Sequence, residues 1–280
     1  MPQEDDESSV QHLIELGYVD PDEAAAFEAS RRRQQHAEFK RAAELAARNK
    51  LDDAAKVLEL LCADDPNWPA PRQLLAEVHY RAARFDDAQS QLDWLTYHGV
   101  ESPRLALLAG TIALRRREVA LAIELLEYAA HVEPDLPSVH MLLGTALLRL
   151  GRVKEAAGCF REAVGRNVAD VRALDGMAAA CLRLAKFDEA ADWSLRALEG
   201  DMHLFDAHCH LGLALAGLNR PEDALRALEA GARIDPTRIG PYRWMAKIAG
   251  EQLNDPERAS RYIQRGRELT RQRRNRRRTD

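Results

Sequence analysis

Six alanines recur at a fixed spacing of 34 residues: Ala54, Ala88, Ala122, Ala156, Ala190 and Ala224. A period of this length belongs to a stack of like supersecondary units, each too small to bury its apolar face alone. Other columns keep the same register. Twelve residues before each alanine the side chain is small: Ala42, Ala76, Gly110, Gly144, Ala178, Gly212. Three residues before it stands an apolar residue or proline: Leu51, Phe85, Val119, Val153, Phe187, Pro221. Seven residues after it comes Leu61, Leu95, Ala129, Ala163, Ala197 or Gly231. Small residues let helix backbones approach and the apolar columns fill the remaining space.

Each unit reads as two helices. "LPSVHMLLGTALLRLG" (136–151) has apolar residues at helical spacing and stops at Gly151, and "VKEAAGCFREAVGRN" (153–167) stops near Asn167. Gly or Asn just past a helical run is a stop signal. Pro66, Pro134 and Pro236 stand twelve residues past their ladder alanines, where a helix must end. Alternation of the kind that makes strands is missing.

The stretches "GRVKEAAGCFREAV", "AKFDEAADWSLRAL" and "NRPEDALRALEAGARIDP", with the 34-residue period and the small residue of the first helix, resemble tetratricopeptide repeats (TPR). The resemblance covers residues 35–270, with six units in strict register. A seventh, "IGPYRWMAKIAGEQLNDPERASRYIQRG", slips by one, since Ala259 lies 35 past Ala224. It implies an all-α fold, a right-handed solenoid of helix-turn-helix units. Three segments are expected: an acidic, flexible stretch over 1–19, the solenoid over 20–270, and a disordered Arg-rich tail over 271–280. Asp20 and Pro21 read as cap and first position of a long helix entering the first repeat. Glu38 and Arg41 replace apolar residues there, as suits an end unit with a solvated face. Ser194, in a column of bulky apolar residues, predicts loose packing in repeat five.

Charge is unevenly spread. The net −5 divides into +5 for residues 271–280 and −10 for the rest. Four cysteines without CxxC pairing point to a reducing compartment. With no long apolar run and no signal-peptide pattern at the start, the expectation is a cytoplasmic protein. Nucleophile–base pairs, phosphate-cradling glycine loops and metal motifs are missing, so the reading is non-enzymatic with no cofactor. "HLFDAHCH" gathers His203, His208, Cys209 and His210, but helical geometry splays them, and packing roles are expected. Cys181 and Cys209 fall on adjacent first helices and read as buried thiols.

In the family, the first helices of successive repeats line a concave groove that takes extended peptides or partner helices. On that face Arg81, Arg115, Arg149 and Arg183 form a second 34-residue ladder. One turn earlier stand Glu77, Thr111, Thr145 and Ala179. Tyr80, Leu107, Leu114, Met141, Leu148 and Leu182 supply apolar neighbours, and Arg104 and Arg172 add charge. The implied function is a scaffold whose partner protein lays an acidic or phosphorylated segment against the arginines. A competing reading makes each arginine a cation at its own helix C-terminus, with Arg81 paired to Glu77. The clamp that other TPR domains use for chaperone C-termini is missing, since Phe39, Ala43, Leu74 and Ser138 occupy its places.

Two alternatives stand beside the scaffold. "ELGYVD" (15–20) is similar to the segment that closes hydrolase domains of the alkaline-phosphatase superfamily, some of which carry TPR tails. That implies an accessory module of a larger phosphohydrolase; otherwise the segment caps the first repeat. The tail "RQRRNRRR" offers Arg273, Arg274, Arg276, Arg277 and Arg278 to nucleic-acid phosphates, sequence-blind because no aromatic is interleaved. Nucleic acid is the weaker partner reading, and no membrane partner is expected.

Overall fold

A computed structural model describes residues 20–136 and 138–279, apart from the side chains of residues 21, 23, 24 and 275–279. Among the described residues there are fourteen helices and no strands. In chain order they are α1 (Pro21–Ala47), α2 (Leu51–Asp64), α3 (Pro69–Arg81), α4 (Phe85–Tyr97), α5 (Pro103–Arg116), α6 (Val119–Val132) and α7 (Val139–Leu150). The second half continues with α8 (Val153–Arg166), α9 (Val171–Arg183), α10 (Phe187–Gly200), α11 (Phe205–Gly217), α12 (Pro221–Ile234), α13 (Gly240–Glu251) and α14 (Pro256–Thr279). Odd-numbered helices are the first of each pair and even-numbered helices the second.

The chain divides into two compact units, Met1–Ile112 and Ala113–Asp280, with the division inside α5. In the first unit α1 to α4 pack each on the next, and α1 also touches α3. Its core gathers Ala42, Ala54, Leu58, Leu75 and Val78, and then Ala76, Ala88, Leu92, Leu95 and Ile112. In the second unit consecutive helices pack from α6 to α14, and the first helices also touch one another in the series α7, α9, α11, α13. Both are stretches of an all-α TPR-type solenoid. All six ladder alanines are 0% exposed, which is why no larger residue fits the column.

The turns share the period. The backbone enters the left-handed region at Asn49, Ala83, Arg117, Gly151, Ala185 and Asn219, each 34 after the last. Asn254 follows at 35, the same one-residue slip as Ala259. The next amide then donates back across the helix end: Lys50 N to Leu45 O, Arg84 N to His79 O, Arg152 N to Leu147 O, Lys186 N to Cys181 O, Arg220 N to Leu215 O. This Schellman closure satisfies carbonyls left over at the helix end and turns the chain sharply into the second helix. On the return, Asp65, Asn167, Asp201 and Asp235 accept from the amide two residues on through their side chains, another 34-residue column.

Three details bear on the sequence expectations. Asp20 caps α1 through the Asp22 amide, with Pro21 in the first turn. Ser194 is fully buried, and its hydroxyl donates to Ala190 O at 2.8 Å, so the polar group is satisfied inside its own helix. The tail expected as disordered from residue 271 instead continues α14 through Thr279. Arginine is a good helix former and no glycine or proline follows Gly266 to stop the helix. The "ELGYVD" segment lies, except for Asp20, outside the described residues.

Candidate functional site

The arginine ladder holds the stack together as well as facing outward. Arg149 Nη1 donates to Leu114 O at 2.8 Å, and Arg183 Nη1 donates to Leu148 O. Each acceptor is a late carbonyl of the preceding first helix, which otherwise receives a long bond from the turn amide, Arg117 N to Leu114 O at 3.4 Å and Gly151 N to Leu148 O at 3.3 Å. Gln252, the residue just past α13, does the same, donating to Ala216 O at 3.2 Å. Arg81 donates to Asn49 Oδ1 at 3.3 Å, in the turn of the preceding repeat, rather than to Glu77. Arg115 is exposed and has no carboxylate partner among the described residues. The cation therefore serves the end of the neighbouring helix rather than its own, a reading that spacing alone did not provide.

The other predicted groove residues divide by role. Thr111 and Thr145 turn their hydroxyls back to Leu107 O and Met141 O at 2.7 and 2.9 Å, so both are half-buried and internally bonded. Met141 is 4% exposed and belongs to the core. Leu107 and Tyr80 are half-buried, Tyr80 against Phe85 with ring centroids 6.0 Å apart. Arg104 and Arg172 are exposed at the starts of α5 and α9. Tyr80, Arg81, Arg104, Leu107 and Thr111 lie in the first unit; Arg115, Met141, Thr145, Arg149, Arg172 and Arg183 lie in the second.

The sequence did not reveal a pocket of about 360 Å³ in the second unit, between α9, α11 and α13. Leu182, Leu213, Ile248 and the Trp244 ring form its apolar wall, with Phe187 from the start of α10. Its place follows from the register. The ladder column that reads Arg149 and Arg183 reads Gly217 in the next repeat and, after the one-residue slip, Gln252. A Cβ at Gly217 would stand 2.4 Å from the Phe187 ring, so the ring occupies the space of the missing side chain. Trp244 is 43% exposed, and Lys247 lies over it at 5.9 Å and reaches Glu251 at 3.9 Å. The signal that could have exposed it was the break in the ladder at Gly217 opposite a tryptophan.

The histidine-rich segment is structural. His140 and His208, 68 residues apart, each reach back six residues to a loop carbonyl, Pro134 O and Met202 O, both at 3.0 Å. His210 Nδ1 joins Asp175 Oδ1 at 2.6 Å, tying α11 to α9. Among the described residues no group of three or more His, Cys, Asp or Glu is placed to hold a metal. The four thiols are free. Burial pushes Cys209 up to about 12 and Cys159 up to about 11, and raises Cys62 and Cys181 as well, so none is a ready thiolate. No helix among the described residues is long and apolar enough to cross a membrane. Arg273 and Arg274 are exposed on α14, and the side chains of Arg276, Arg277 and Arg278 lie outside the description.

Comparisons with known proteins agree with this architecture. The tetratricopeptide repeat family model matches residues 74–137 and 141–203. A solved segment of MamA from Desulfovibrio magneticus RS-1 is 21% identical, with a TM-score of 0.54 over 61% of this chain and 96% of that one. YrrB, described as a TPR protein with an unusual peptide-binding site, is 19% identical, with a TM-score of 0.56 over 68% of this chain and 98% of that one. The APC/C hetero-tetramer Cut9–Hcn1 gives a TM-score of 0.66 at 16% identity over 76% of this chain and 42% of that one. No curated protein sequence matches. Those two segments make up somewhat under half of the chain, and the same helix pair continues in the same register on either side of them.

Proposed function

We propose that the protein is a non-enzymatic scaffold that binds a partner protein along the face formed by the first helices of its repeats, where an acidic, extended segment is held. The observation that carries this reading is the charge on that face in the second unit. Arg115, Arg172 and Arg243 are exposed there and have no carboxylate partner among the described residues. Arg149 and Arg183 each commit one nitrogen to a carbonyl and keep further donors, since a guanidinium carries five. Of the three carboxylates on these first helices, Asp175 is tied to His210 and Glu251 to Lys247, while Asp206 is exposed one repeat after Arg172. A carboxylate-bearing or phosphorylated segment would meet guanidinium forks suited to bidentate bonds. The peptide-binding site ascribed to YrrB supports the mode at the level of the fold. The four free thiols fit a reducing compartment such as the cytoplasm.

The test is a fluorescence-anisotropy titration of a short Asp- and Glu-rich peptide, with a Lys-rich peptide as control. Arg115→Glu with Arg172→Glu removes two cations that make no structural bond here. The acidic peptide is expected to bind the native chain, more weakly as salt rises, and to lose affinity for the double variant. Equal binding of both peptides, or an affinity the double variant leaves unchanged, would contradict the proposal.

A further inference from the structure

We infer that the pocket at Gly217 is an anchor site for one bulky apolar side chain, aromatic by preference, of the acidic partner segment. The inference rests on the groove reading above and adds the feature that selects among acidic segments. Three observations lead to it.

The first is volume and lining. About 360 Å³ bounded by Leu182, Phe187, Leu213, Ile248 and Trp244 lies within the range of sites that bury apolar groups. The second is that the cavity is built into the register. An arginine at position 217 would continue the ladder, yet Gly217 stands there and the Phe187 ring fills its Cβ position. The column therefore changes from cation to an aromatic ring within one repeat, and Trp244 borders the cavity beside that ring with nearly half its surface in solvent. An indole is costly to leave wet and gains from stacking on another ring.

The third is position, which identifies the occupant as part of a segment lying on the first helices. Arg243, the residue before Trp244, is exposed with no carboxylate partner among the described residues, and Arg183 follows the lining residue Leu182 on α9 with one nitrogen turned back to Leu148 O. Lys247 and Glu251 at the mouth offset one another. An apolar residue of a segment lying along these first helices thus meets an apolar cavity whose lining charges, Lys247 and Glu251, cancel. Along the same face the Thr145 and Ala179 column leads from α7 through α9 to Leu213, a path for the rest of the segment.

Three acidic peptides differing only at one central residue, Trp, Leu or Ala, are titrated against the native chain, Trp244→Ala and Ala216→Leu. Ala216 lines the pocket and is half-buried, so leucine fills the cavity without changing charge. The native chain is expected to bind the Trp peptide about thirtyfold more tightly than the Ala peptide, the order of a buried aromatic anchor. Both variants are expected to erase that difference and keep the Ala-peptide affinity. Equal binding of all three peptides to the native chain, or discrimination that survives in Ala216→Leu, would overturn the anchor and leave the groove standing. Should no acidic peptide bind, the groove reading fails. A titration with indole alone, followed by the methyl resonances of Leu213 and Ile248, then decides the pocket: shifts support it and their absence overturns it.

Discussion

Phe160 is 1% exposed and lies against two glycines on the flanking first helices. A Cβ at Gly144 would stand 2.9 Å from its ring and one at Gly176 2.4 Å. The large residue and the two missing side chains are one arrangement, so Gly176→Ala is expected to lose about 1–3 kcal/mol by overpacking. Gly158 makes the contrast: it lies within α8 and its Cβ would meet nothing within 4 Å. Gly158→Ala is expected to gain about 0.5–1 kcal/mol from helix propensity. Chemical denaturation of the two variants checks both signs. Glycine identity alone could not separate them, because the difference lies in a neighbouring repeat.

His79, 5% exposed in the first unit, has no hydrogen-bond partner at Nδ1 among the described residues. Burial and then Arg84 hold its pKa below the ordinary value, against the opposite pull of Asp87 and Glu59. The folded chain therefore binds this proton less readily than the unfolded chain. The stability it contributes is full above the unfolded value of about 6.5 and declines as pH falls below it, until the folded imidazole also protonates. Denaturation midpoints measured from pH 8 to pH 5 should fall, and less steeply in His79→Leu. Equal slopes would assign the loss to other groups.

At the scale of the element, the helix-to-helix turn decides most of what the sequence conceals. Gly151 was legible as a stop because glycine is the usual left-handed residue. The same conformation at Ala83, Arg117 and Ala185 was not, since nothing in an alanine or arginine signals φ near +60°. The repeat imposes it by closing each first helix through the Schellman bond. Ala185→Gly is expected to gain up to about 1 kcal/mol by relieving that backbone, offset in part by the freer unfolded chain. Gly151→Ala, at φ 87°, should lose a similar amount. Opposite signs in thermal denaturation confirm the account and like signs refute it. Arg149→Met keeps the stem and removes the donor to Leu114 O, at an expected cost of about 1 kcal/mol.

The same reasoning separates what was readable in the candidate site. Periodicity put Arg115, Arg149 and Arg183 on one face because register is a one-dimensional property. It could not show that two of them reach a carbonyl 35 residues earlier, since side-chain direction depends on how the helices stack. Thr145 and Met141 shared the face but turn inward. The pocket was hidden for a related reason: it lies beside Gly217, and its walls come from three successive first helices with Phe187 of α10.

At the scale of the molecule, a repeat stack draws its stability from nearest neighbours and leaves one face free of core duty. That division accounts for a chain whose interior is built largely from alanine and leucine while its first helices present arginine and one exposed tryptophan. The one-residue slip at Asn254 and Ala259 brings the series to its last pair, and α14 then runs on past its buried Leu269. The central claim is that binding takes place on the first helices of the second unit and is anchored at Gly217. Backbone amide exchange, followed with and without the acidic Trp-bearing peptide, tests it most directly. Slowed exchange in α9, α11 and α13 with α8, α10 and α12 unchanged is the predicted result. Slowing confined to α8, α10 and α12, or none anywhere, would contradict it.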